Sequence, residues 1–128
     1  MTIWAFNKVD EPCRKRIYES FKSGISRFGW SQEEKHNLKG KVWSEWHSKQ
    51  MFLLQVKKGD WIVHINTPSY GKCIAGQVKF EYQFDEGLDC WGAKDFRHSF
   101  EIEKESIIEF KNIILIPEDN VEQKPLVF

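Results

Sequence analysis

The sequence predicts an α+β domain: helices near the start, then about five or six strands curled into a small, partly closed barrel. Three observations carry this. Cys13, Ile17 and Phe21 recur at i, i+4 and i+8 in front of Gly24, the spacing of one buried helix face. From Met51 onward the period changes to two, most clearly where Ile74, Gly76, Val78, Phe80, Tyr82 and Phe84 alternate with Ala75, Gln77, Lys79, Glu81 and Gln83. At 128 residues, with 41% hydrophobic and 30% charged residues, the chain is sized and composed for one domain with one core. Closing long, curved strands toward a barrel is the economical way to remove exposed sheet edges.

The elements follow in order. "MTIWAFN" alternates as a short opening strand. Asp10 is placed to cap a helix starting near Glu11 and Pro12, where the ring is tolerated, and Gly24 ends it. "GISRFGW" is a glycine-bracketed turn or short strand. "SQEE" fits a capping box, Ser31 with Glu34, opening a helix to about Lys39. Val42, Trp43 and Trp46 suit a further short helix that packs both indoles. "MFLLQV" reads as helix or strand, and "KKGD" is a turn either way. "WIVHIN" is a strand with Trp61, Val63 and Ile65 on one face. Residues 74–84 form a long strand with one buried and one wet face, and Gly76 marks a bend. "DEGLDCWGA" is a loop. "DFRHSFEI" is a strand with Phe96, His98, Phe100 and Ile102 inward and Arg97 outward, and "NIILIP" is a buried closing strand ended by Pro117.

Composition narrows the function. Nineteen basic residues balance nineteen acidic ones, which argues against coating nucleic acid by bulk charge and leaves a local basic face open. Cys13, Cys73 and Cys90 have no metal-ligand or disulfide spacing, and His36, His47, His64 and His98 form no paired motif. No metal and no cofactor is expected, and a reducing cytoplasm is the expected compartment. No apolar run nears the roughly 20 residues that span a bilayer. Six tryptophans in so short a chain exceed what a core asks for.

"GDWIVHIN", a Pro/Gly loop and "IAGQVKFEYQF" resemble the central hairpin of the PUA-like superfamily, which includes PUA, ASCH, EVE and YTH domains. "GISRFGW" is similar to the EVE and YTH segment in which a Gly-Trp closes one side of a base pocket. "DFRHSFEI" resembles a late strand of EVE-like modules attached to restriction and anti-phage proteins. The resemblance runs from about residue 24 to residue 116. It implies one EVE-type domain over residues 1–128: a pseudo-barrel of mostly antiparallel strands with two or three flanking helices, and an aromatic-lined pocket for a flipped base.

On that resemblance Trp30 is expected to stack on a base, Ser26 to bond its edge, and Arg27 to hold a phosphate or a guanine edge. One stacked base contributes about 1–3 kcal/mol. In "NTPSYGK", Tyr70 is a candidate second wall, with Asn66 and Ser69 as polar contacts, though such turn formers also suit a plain connection. Trp91, flanked by glycine, is a third wall, a wedge between bases, or a cover for a barrel end. Lys57, Lys58, Lys72 and Arg97 are the expected backbone contacts. Trp4, Trp43, Trp46, Trp61, Phe80 and Phe84 read as core, and His98 as a hydrogen-bonded core histidine rather than a general acid–base.

The expected function is a non-catalytic module that reads a modified base, with DNA ahead of RNA as partner and any cleavage supplied by another domain or protein. No nuclease, methyltransferase or NTPase motif is present. The alternatives are a sensor or protein-interaction module, and a small ASCH-type enzyme using Arg97, His98 and a lysine.

Overall fold

A computed structural model describes residues 1–7, 11–40, 50–90, 92–111 and 126–127. The Asp10 cap, the Val42–Trp46 helix, Trp91, His47 and the "NIILIP" strand lie outside the described residues.

The strands form an α+β architecture of open sheets. In the larger sheet β1 (Ile3–Asn7) runs parallel to β3 (Trp61–Ile65), β3 is antiparallel to β4 (Lys72–Gln77), and β4 to β9 (Ile108–Lys111). With β10 (Leu126–Val127) beside β1, the order is β10-β1-β3-β4-β9. A second sheet orders β2 (Ile25–Phe28), β8 (His98–Glu101) and β5 (Gln83–Phe84) as β2-β8-β5. A third element, the hairpin β6 (Leu88–Cys90) with β7 (Ala93–Asp95), stands apart from both. The two larger sheets meet at a corner where Val78 bridges Ile102 and the Lys79 amide donates to the Glu101 carbonyl at 2.8 Å. Among the described residues they do not close into a barrel.

Among the described residues there is one α-helix, α1 (Glu11–Lys22), where two or three were expected. Its apolar face serves two clusters. Cys13 and Ile17 pack with Cys90 and Phe96, while Phe21 enters the main core of Trp4, Phe6, Leu53, Ile62, Ile74, Phe100 and Ile102. Gly24 ends it at φ +104.

The expected helix over 31–39 is only a 3-10 turn, Glu34–His36, and its capping box is Glu33 with His36 instead of Ser31 with Glu34. Ser31 is committed elsewhere: its hydroxyl donates to the Phe28 carbonyl (3.2 Å) and accepts the Arg97 amide (2.7 Å). "MFLLQ" is likewise a 3-10 turn.

The long strand expected over 74–84 is two elements. β4 leaves its ladder at Gln77, and Val78 instead bonds Asp60 and Gly59 at the corner. Ile74, Ala75 and Gly76 are all buried, because both faces of β4 are covered, so the wet face is absent there. Past the corner the alternation fails: Phe80, expected in the core, is 48% exposed, whereas Tyr82 is buried. Gly76 is required by close packing, since a Cβ there would stand 2.5 Å from Ile102 Cγ2 and 3.1 Å from the Phe21 ring. "DEGLDCWGA", expected as loop, supplies β6 and the start of β7, paired through Leu88–Asp95 and Cys90–Ala93. Trp61, expected in the core, is half-buried.

Candidate functional site

The β2 segment delivers Ser26 and Arg27 into the fold. Ser26 has no exposed surface, and its hydroxyl pairs with His64 Nε2 at 2.7 Å. It points to the core side and offers no edge to a base. Arg27, one residue on, faces the other way. Its guanidinium donates to Asp85, to the Phe96 carbonyl (3.1 Å) and to Ser20 Oγ (3.1 Å). These contacts tie β2 to β5 and α1, so Arg27 is held as a structural clamp.

Trp30 is different. It sits at φ 59 in the turn after β2 and is 36% exposed. Gly29 precedes it closely against the Phe96 ring, 3.0 Å from where a Cβ would be. The Ser31 amide donates to Asp95 Oδ1 at 2.9 Å, fixing the far side of the turn.

The β3–β4 loop holds Asn66, Ser69 and Tyr70. Asn66 is fully buried in a left-handed conformation (φ 56); its Oδ1 accepts the Gly71 amide (2.9 Å) and its Nδ2 donates to Asn7 (3.0 Å). It builds the loop and is not positioned to touch a ligand. The Thr67 amide donates to the Lys72 carbonyl (2.8 Å) and the Lys72 amide to the Ser69 carbonyl (3.0 Å). The Thr67–Pro68 bond is cis. On this tight frame Ser69 is exposed and Tyr70 is 53% exposed.

The other expected contacts do not converge. Lys57 and Lys58 are exposed in the turn before β3, at the opposite end of that strand from the Tyr70 loop and therefore about 16 Å away. Arg97, expected free on a wet face, donates to Glu34 and to the Asp85 carbonyl (2.9 Å) and stacks 4.5 Å over Phe84. Lys72 stays exposed, at the loop exit.

Lys72 brings in residues that sequence reasoning missed. It pairs with Lys111 across β4 and β9, one step from the pair Cys73–Phe110. All of β9 is exposed, with Ile108 at 54% and Phe110 at 42%. Tyr18 donates to Glu109 at 2.7 Å, which puts Glu109 and Lys111 on the helix side of the sheet and Ile108 and Phe110 on the other. No carboxylate among the described residues pairs with Lys72 or Lys111. The alternation Ile108-Glu109-Phe110-Lys111 was a visible signal, masked by the apolar "NIILIP" that follows.

The buried histidines belong to the core. Tyr82 accepts the Leu38 amide (3.2 Å), and its hydroxyl pairs with His98 Nδ1 at 2.6 Å. Burial pushes the Tyr82 hydroxyl up to about 12 and takes His64 down to about 3. His98 is fully buried. A groove of about 400 Å³ crosses the outer face of β2-β8-β5. Its lining, including Lys79, Asp85, Ser99, Glu101 and Lys104, contains no aromatic ring, so it is not a stacking pocket. No cluster of three or more metal-ligating side chains occurs among the described residues, and no described helix is long and apolar enough to cross a membrane.

No family model matches the chain, and no curated protein matches it in sequence.

Proposed function

We propose that this chain is a non-catalytic nucleic-acid-binding module of PUA-like kind that stacks exposed bases, a modified base foremost, on loop and strand-edge aromatics. Lys72 and Lys111 hold the phosphate backbone, Tyr70 and Phe110 receive bases, and Trp30 presents a further ring. The single observation that carries this is the opposed Lys72–Lys111 pair, with no carboxylate partner among the described residues, next to the exposed Tyr70 loop and at the sheet edge whose other face exposes Phe110. A fold gains nothing from two ammonium groups facing each other, whereas a polyanion does. Stacking on each ring contributes about 1–3 kcal/mol. Ser26, Arg27 and Asn66, already used by the fold, are not part of this surface.

The test is a fluorescence titration against short single strands and duplexes of DNA and RNA, unmodified and base-methylated, over a range of salt. Tyr70→Ala and Phe110→Ala are each expected to weaken binding by roughly 5- to 100-fold. Binding that disappears with salt yet is untouched by both substitutions would mean charge attraction alone and overturn the stacking assignment.

A protein-interaction role has one specific observation in its favour: β9 is the outermost of the described strands of its sheet and exposes Ile108 and Phe110. Peptide binding insensitive to Lys72→Ala, with no nucleic-acid binding, would select it.

A further inference from the structure

Cys13 and Cys90 are 77 residues apart in sequence, yet their sulfur atoms stand 2.7 Å from each other. Cys13 comes from the first turn of α1 and Cys90 from the end of β6, and both are enclosed by Ile17, Phe96 and Leu88. Two thiols whose sulfur atoms approach this closely from separate elements need little movement of either side chain to become bonded. Cys73, the third cysteine, lies in a separate cluster with Ala5 and Ile65.

We propose that Cys13 and Cys90 are a redox site, forming a reversible disulfide by exchange with a low-molecular-weight disulfide and locking the β6–β7 hairpin onto α1. One cysteine, as thiolate, attacks the external disulfide and releases one small thiolate. The second attacks the resulting mixed disulfide and releases the other. The Cys13–Cys90 bond forms and the external S–S bond breaks. Two electrons pass to the small molecule, and the two protons end on its two thiols.

Access comes from the hairpin. It pairs with neither of the larger sheets and is held by the Cys13, Ile17, Cys90 and Phe96 cluster and by Asp95, so local opening of this hairpin is the route that exposes the two thiols. Its last residue, Asp95, holds the Ser31 amide (2.9 Å) and so fixes the turn that presents Trp30. With both thiols free the Ser31–Asp95 bond is already made, and oxidation stiffens the Trp30 turn further by limiting how far the hairpin can open.

The experiment incubates the intact chain with glutathione disulfide under native conditions, then counts thiols in denaturant, maps linked peptides, and follows amide exchange at Ser31. The expected result is loss of two of the three thiols, a monomer, a Cys13–Cys90 linked peptide and slower Ser31 exchange. Retention of all three thiols, or a linkage through Cys73, would overturn the assignment. A Cys13–Cys90 bond that leaves Ser31 exchange unchanged would overturn the lock. Cys73→Ser, expected to lose both of its remaining thiols, repeats the count without the competing group.

Discussion

Lys72 and Lys111 face each other across the β4–β9 ladder, directly opposed in an antiparallel pair. Like charges so placed repel, and neither side chain has a compensating partner among the described residues. Lys72→Ala or Lys111→Ala is expected to raise stability by roughly 0.3 kcal/mol. The same change is expected to weaken nucleic-acid binding and reduce the salt slope by about 1 per lysine. Urea unfolding and a salt-dependent titration read the two effects separately. A purely structural lysine would move stability and binding in the same direction, so opposite signs are the informative outcome.

Gly76→Ala tests the packing of α1 and the β8 extension against the large sheet. The added methyl would meet Ile102 Cγ2 at 2.5 Å and the Phe21 ring at 3.1 Å, both fully buried or nearly so. Overpacking of this kind costs about 1–3 kcal/mol. Thermal unfolding should show the loss, and Ile102→Val in the same chain should recover part of it by removing one methyl from the contact.

How much of this was legible in the sequence depended on whether local pattern or distant partners decided the outcome. The helix face of Cys13, Ile17 and Phe21, the β1 and β3 strands and the "KKGD" turn follow from spacing and turn chemistry, and each stands where expected. The 74–84 alternation was real but misled, because the Val78 and Lys79 amides donate to the Asp60 and Glu101 carbonyls and turn the chain there, and no local residue announces that. Ser31 looked like a cap because a hydroxyl three residues before a glutamate fits one; Asp95 and Arg97, more than sixty residues on, claim it instead. At the candidate site, Tyr70 and Lys72 were visible as loop residues, whereas Lys111 and Phe110 gain meaning only once β9 pairs with β4. The partners of Arg27 and Arg97 were not legible for one reason: alternation places a side chain on a face, but the carboxylates that bind it there lie far away in sequence.

His64 sets part of the acid response. It is buried against Phe28 and Phe21, and burial takes its imidazole from the ordinary 6.5 down to about 3. Between those values the unfolded chain binds a proton that the folded protein does not, so stability falls as pH drops from 6.5 toward 3. The slope from this group approaches about 1.4 kcal/mol per pH unit. Urea midpoints between pH 7 and pH 4 measure it, and imidazole NMR shifts should show His64 unchanged until close to pH 3. Titration of His64 near 6.5 in the folded protein would remove this source.

Asp60 acts lower down. Burial raises its carboxyl, but hydrogen bonds from Trp4 Nε1 and from the Lys57 and Thr2 amides, each 3.0 Å, outweigh burial and hold it below the usual 3.8. Because the folded value is depressed, its stabilisation is complete above the unfolded value and is lost as pH falls through the folded one. Asp60→Asn would turn an amide donor toward N–H groups that need acceptors and is expected to cost about 2 kcal/mol near neutral pH. The variant should also flatten the stability curve below about pH 4, the range in which a carboxylate titrates, while the His64 slope above it persists. Unfolding curves of both proteins from pH 7 to pH 2.5 separate the two groups. A variant that keeps the wild-type fall at the lowest pH would show that another carboxylate carries it.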